Sequence, residues 1–175
     1  MNHTDHVNLL RPGIAETGGV WADLGAGNGA FTLALADILD STAKIIAVDK
    51  DGRALQNLRK SVQSRFPAIG LETIVADFTR TLELPHLTGV VMANSLHFHQ
   101  NKQPILYQVQ DYLQPGGRLL LVEYDTDRGN QWVPYPLSFS TWKTLAANVG
   151  FSQTQLLSTR PSRFLGQIYS ALSLK

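Results

Sequence analysis

Four short apolar runs in this chain end in residues able to hold a ligand. The first, Val20-Trp21-Ala22-Asp23-Leu24, leads into the turn Gly25-Ala26-Gly27-Asn28-Gly29. Glycines there let the backbone pass close beneath a flat ligand and take angles barred to other residues. The second run, Ile45-Ile46-Ala47-Val48, ends in Asp49, which follows Gly29 by 20 residues. At that spacing a second-strand carboxylate meets the hydroxyls of a ribose beside the first turn. Its two oxygens can take both hydroxyl protons in charge-assisted hydrogen bonds. The third run ends in Asp77-Phe78. Asp77 either accepts from an adenine amino group with Phe78 beside the ring, or forms a local Asx turn with Phe78 in the core. The fourth ends in Asn94-Ser95-Leu96-His97-Phe98-His99. His97 and His99 are the candidate general bases, because imidazole titrates near working pH; the competing reading is a pair of loop histidines that shape a pocket. A His-x-His metal site would need a third ligand, so no metal is expected.

The elements that position these residues alternate between short apolar runs and amphipathic stretches, the pattern of strands and helices over a mostly parallel sheet. Strands are predicted at 19–24, 44–48, 71–76, 89–93 and 118–124. Helices are predicted around Phe31–Leu39, Leu55–Phe66 and Ile105–Leu113, and from Phe139 to Val149 with Gly150 as its cap. Pro115-Gly116-Gly117 reads as the turn from the third of these helices into strand five. The run 118–124 gives way to a polar, proline-containing loop, 125–136, whose Trp132 and Tyr135 either stack on a ligand or anchor the loop. Two last strands, 151–157 and 164–172, are joined by a turn at 158–163 too brief for a parallel crossover, so they pair antiparallel. In an open sheet of this kind ligands sit beyond the carboxyl ends of the strands, where the strand order reverses, and all four motifs fall at such ends.

The 175 residues suit one domain, read as an N-terminal segment at 1–18 and a ligand-binding domain at 19–175. Fifteen basic and 14 acidic residues leave a net charge of +1 without a basic run, so nucleic acid is not indicated as a partner. The absence of cysteine excludes a disulfide framework and a thiol nucleophile. No apolar stretch approaches the roughly 20 residues of a membrane span and the N-terminus lacks a signal-peptide layout, so a soluble cytoplasmic protein is expected. Oligomeric state has no reading in the sequence.

Together these motifs resemble the class I S-adenosylmethionine (SAM)-dependent methyltransferases, from about Gly19 to Leu172. The passage Leu113-Gln114-Pro115-Gly116-Gly117-Arg118-Leu119 is similar to that family's approach to strand five, and the closing hairpin to its last two strands. The resemblance implies a Rossmann-like α/β fold, with a seven-stranded mostly parallel sheet, an antiparallel last strand and helices on both faces. It implies SAM as cofactor and S-adenosylhomocysteine (SAH) as product. It also implies a cofactor site of Asp23, Gly25, Ala26, Gly27, Asp49, Lys50, Asp77, Phe78 and Asn94. Asn94-Ser95-Leu96-His97 departs from the Asn/Asp-Pro-Pro-Tyr/Phe pattern of amino- and amide-nitrogen methyltransferases, which points to a small-molecule acceptor. Two alternatives stand beside this reading. One is an NAD(P)-binding Rossmann oxidoreductase, since Gly25-Ala26-Gly27-Asn28-Gly29-Ala30 also meets its fingerprint. The other is a SAM-binding module without catalysis that acts through a protein partner.

Overall fold

A computed structural model describes all 175 residues. Seven strands form one sheet: β1 (Val20–Leu24), β2 (Lys44–Asp49), β3 (Gly70–Val75), β4 (Leu87–Ala93), β5 (Leu113–Tyr124), β6 (Ser152–Ser162) and β7 (Gly166–Leu174), in the order β3-β2-β1-β4-β5-β7-β6. The first five are parallel, β7 runs against β5, and β6 pairs antiparallel with β7. The chain builds outward from β1 in one direction and then returns to lay β4 on its other side. The order therefore reverses between β1 and β4, and a crevice opens beyond their carboxyl ends.

Five helices cover the faces: α1 (His3–Leu10), α2 (Ala30–Ile38), α3 (Gly52–Arg65), α4 (Gln103–Tyr112) and α5 (Phe139–Asn148). Because alternate strand residues face opposite ways, β1 sends Ala22 and Leu24 to the core beneath α4 and α5, and Trp21 to the core beneath α1 and α2. Asp51 caps α3 by accepting from the backbone N–H groups of Arg53 and Ala54, which fixes where the chain leaves β2.

The N-terminal segment, given no element by its sequence pattern, carries α1 and a 3-10 turn at Arg11–Gly13. Asn2 and Asp5 form a reciprocal capping box, and Val7, Leu9 and Leu10 are buried against α2 and the sheet. The Pro-Gly-Gly passage differs from expectation as well. Leu113 already pairs with Leu87, and Gln114–Gly117 then leave the ladder as a bulge before Arg118 meets Gly89. Finally, β6 continues past the expected turn to Ser162, and the reversal falls at 163–165. Pro161 is compatible with this because β6 is the edge strand, where a missing N–H breaks no ladder bond on the open side.

Gly89 on β4 lies against the indole of Trp21, and a Cβ there would overlap the ring. Gly89→Ala should therefore cost about 1–3 kcal/mol of stability through forced repacking. The urea midpoint, followed by tryptophan fluorescence, measures it; an unshifted midpoint would mean that the two strands have slack at this contact.

Candidate functional site

The turn after β1 is held by its neighbours. The N–H groups of Gly25 and Ala26 donate to Val48 O at 2.9 and 3.0 Å, and the Gly27 N–H donates to Asp49 Oδ2 at 2.7 Å. Asp49 Oδ1 accepts from Asp51 N–H, so this carboxylate braces both the glycine turn and the start of α3 and keeps lone pairs for a ligand. Gly25 has φ +84°, and a Cβ on it would meet Ser95 and Phe78. Ser95 in turn donates to Leu24 O at 2.8 Å, locking the end of β4 to the end of β1.

A cleft of about 410 Å³ opens at this rim, lined among others by Gly25, Gly27, Asp49, Lys50, Asp77, Phe78, Asn94 and His99. A second cavity of about 210 Å³ adjoins it through the shared residues Gly25 and Asn94, and its walls include Asp23, Ala26 and His6. The two form one groove across the strand ends. The structure thus brings together Asp23, Gly25, Ala26, Gly27, Asp49, Lys50, Asp77, Phe78 and Asn94. Of the two histidines, His99 lines the larger cleft, its ring edge-on to Phe78 with centroids 5.3 Å apart. His97 lies behind the cleft, buried, with its backbone N–H and its Nδ1 both on Glu123.

Asp77 takes the Asx-turn geometry: its Oδ1 accepts from the Thr79 N–H at 2.9 Å and the Thr79 hydroxyl at 2.7 Å. Those bonds hold its carboxyl below the usual range, while the residue still faces the cleft. Burial lowers the affinity of His99 for its proton, partly opposed by the charge of Asp77. Asn94 adopts φ +52°, the left-handed region that Asn tolerates better than most residues. Its Oδ1 is sealed and has no partner in the protein. The residue lines both cavities while this oxygen is turned into the protein.

Asp23 is the most perturbed carboxyl group here. Burial pushes its pKa up to about 6; the Thr32 hydroxyl, donating at 2.6 Å, opposes the rise and the charge of Asp49 adds to it. A cationic ligand group would relieve both the desolvation and the repulsion. His6, Ser95 and Phe98 also line the groove and are absent from the sequence-derived set. From α1, a helix whose sequence signal is the capping pair Asn2 and Asp5, His6 packs on Phe31 with its ring tilted.

A family model described as "Methyltransferase domain" matches residues 16–163. Among curated proteins, the carboxy-S-adenosyl-L-methionine synthase of Enterobacter sp. (strain 638) is 29% identical over 120 residues, covering 67% of this chain and 48% of that protein. The chain thus aligns with about half the length of such relatives. Among solved structures, the YcgJ protein of Bacillus subtilis superposes with a TM-score of 0.78 at 12% identity, covering 99% of both chains. A SAM-dependent methyltransferase from Aquifex aeolicus gives 0.74 at 15%, covering 97% of this chain and 89% of that one. At those identities the two structures establish a shared fold.

A pKa raised in the folded state makes Asp23 a cost to stability that is absent below about pH 4 and complete above about pH 6. The rise from 3.8 to about 6 corresponds to about 3 kcal/mol. Asp23→Asn, which keeps an acceptor for Thr32, should stabilise the ligand-free chain by about 1–3 kcal/mol at pH 8 and by almost nothing at pH 4. Urea unfolding at both pH values tests this, and a gain independent of pH would rule out the buried charge as its source.

Proposed function

The chain belongs to the methyltransferase-domain family, and on that premise we propose that it binds SAM along this groove and transfers the methyl group to a small-molecule acceptor, releasing SAH. The observation that carries the reading is the order of chemistry along the groove. Following the strand order, the end of β3 brings Phe78, with His99 against it edge-to-face, the end of β2 brings the Asp49 carboxylate, and the end of β1 brings the buried Asp23. Adenine, ribose and a methionine ammonium group need those partners in that sequence. Gly25 supports the fit, since a side chain in its place would crowd the floor between Phe78 and the acidic end.

SAM supplies the electrophilic methyl group when bound, so the work left to the chain is binding, alignment and exclusion of competing reactions. Asp49 holds the ribose hydroxyls on lone pairs its backbone partners leave free. Asp23 would hold the ammonium group, with His6 of α1 lining the same cavity. Lys50 stands exposed at the mouth of the cleft, beside the ribose position. The oxidoreductase alternative is disfavoured by the same geometry. A buried carboxyl group ahead of the glycine turn repels a pyrophosphate, which seeks positive potential at a helix N-terminus. No helix of the structure is long and apolar enough to cross a membrane, and the acceptor is read as reaching the groove from water.

Calorimetric titration should show binding of SAM and SAH at micromolar levels and none of NADH. Asp49→Asn, which keeps an acceptor for the Gly27 N–H, should weaken SAH by about tenfold or more, equivalent to about 1.4 kcal/mol. Unchanged affinity in that variant would remove the ribose assignment. SAH release in a screen of phenols, acids and amines then separates an active enzyme from a mute binder.

His6→Ala discriminates the other end of the groove. It should weaken SAH several-fold and leave 5′-methylthioadenosine, which lacks the amino-acid portion, unaffected. Equal losses for the two ligands would mean that α1 acts on the fold of the groove and does not contact the methionine end.

A further inference from the structure

Two segments from opposite sides of the crevice meet above its floor. Phe78 leans from the end of β3 toward the turn after β1, where a Cβ on Gly25 would lie 3.2 Å from its ring. His99 comes from the other side, off the end of β4, and meets Phe78 with centroids 5.3 Å apart and ring planes at 82°. The His99 backbone is fixed. Its N–H donates to Leu96 O at 3.1 Å, and its carbonyl accepts at 2.8 Å from Lys102 Nζ, which also holds Tyr135 O. Its ring is unengaged: neither nitrogen bonds within the protein, and neither is sealed from solvent. The space beside that ring is the cleft it lines.

Asp77 stands at the same end of the cleft. Its Oδ1 is occupied by the N–H and hydroxyl of Thr79, whereas Oδ2 makes no bond within the protein. Each of Asp77 and His99 feels the charge of the other, so the two are neighbours there. Rings at right angles cannot sandwich a flat base between them. A base laid on Phe78 meets His99 at its rim, the part that carries hydrogen-bonding groups. Burial lowers the pKa of His99, opposed by the charge of Asp77 and reinforced by Lys102, Lys50 and His97. The ring is therefore neutral at working pH, and one of its nitrogens offers a lone pair. Asp77, held below the usual carboxylate range by Thr79, is ionised. Two acceptors, one charged and one neutral, thus serve one end of the cleft.

We propose that His99 reads the base of the cofactor: its imine nitrogen and Asp77 Oδ2 accept the two hydrogens of one exocyclic amino group, so that the cleft takes a 6-aminopurine and refuses a 6-oxopurine. The proposal rests on the SAM reading and names what that same site selects. On the rim of adenine only the 6-amino group carries two donors. A 6-oxo group in its place turns lone pairs toward a carboxylate and an imine nitrogen, and leaves both acceptors unpaired. His99 is thus a binding and specificity residue at the base, a different role from the general base that its position after β4 allowed in the sequence. Protonation turns the imine nitrogen into a donor, so acid weakens the selection. The charged or titratable groups around His99 are Asp77 beyond β3, Lys50 beyond β2, Lys102 ahead of α4, and His97 in its own turn.

The test compares SAH with S-inosylhomocysteine, its 6-oxo analogue, by calorimetric titration of the full chain. The two share ribose and methionine portions, so their affinity ratio cancels the titration of Asp23 and reports the base alone. At about pH 8 the wild type should prefer SAH by about a hundredfold or more. His99→Phe keeps a ring against Phe78 without a nitrogen, and should still bind SAH while lowering the ratio by about tenfold. Asp77→Asn keeps Oδ1 for Thr79 and puts an N–H donor in place of Oδ2, and should lower the ratio at least as far. On acidification to about pH 5 the wild-type ratio should fall toward that of His99→Phe, whose own ratio should hold steady. The wild-type acid arm needs no variant and stands even where His99→Phe fails to fold. An undiminished ratio in a folded His99→Phe would overturn the role of His99, and a wild-type ratio indifferent to acid would overturn its imine nitrogen as the acceptor. Equal binding of the two ligands by the wild type ends this proposal alone, whereas failure to bind SAH ends the SAM reading beneath it.

Discussion

The constraint on which the rest of this molecule depends is the burial of one carboxyl group, Asp23, at the end of the central strand, with a second carboxylate one strand away. Left to itself that arrangement is unfavourable, since desolvation and like charge both resist ionisation. It persists because the surrounding structure over-determines it. Thr32 from the first turn of α2 donates to Asp23, Gly27 binds Asp49 to the turn, and Ser95 ties the end of β4 to that of β1. A site that concentrates negative charge in this way is a good receptor for a cation and a poor one for a phosphate. The same charge opposes the pyrophosphate of a dinucleotide.

Much of this was legible in the sequence because its chemistry is local. A carboxylate and a glycine turn at a strand end, or a carboxylate 20 residues beyond, are fixed by the length of one β-α-β unit, so residue spacing translates directly into space. The same holds for the alternation of strands and helices and for the antiparallel ending, which the short link between the last two strands requires. The family match over residues 16–163 agrees with the fold class and with the recognition drawn from those motifs.

What escaped the sequence is what depends on distant partners. The N-terminal segment has too few apolar residues to announce a helix, and its role follows only when Leu9 and Leu10 meet α2 and the sheet. The length of β6 was hidden by Pro161, which usually ends a strand and is tolerated here because topology places it on an edge. Bulging at Gln114–Gly117 let β5 begin before the glycines that looked like its boundary. Glu123 stood next to last in the predicted fifth strand, with nothing to distinguish it from a solvated strand end. Only the pairing of β5 with β4 puts it beneath His97, 26 residues earlier in the chain.

The two halves of the groove consequently answer to different parts of the chain. Cofactor-facing groups come from β1 to β4 and the turns that follow them, within a stretch whose spacing is set by right-handed crossovers and leaves little freedom. The end of β5 and the β6–β7 turn are joined to each other and to the end of β4 by contacts over 26 to 40 residues of sequence. Loops and hairpin tips of this kind change length and side chains without disturbing the core. Phe98 is the residue at which the halves meet, lining the cleft on one side and packing on His97 on the other. That packing, on a residue held by two hydrogen bonds to Glu123, ties the mouth of the cleft to β5.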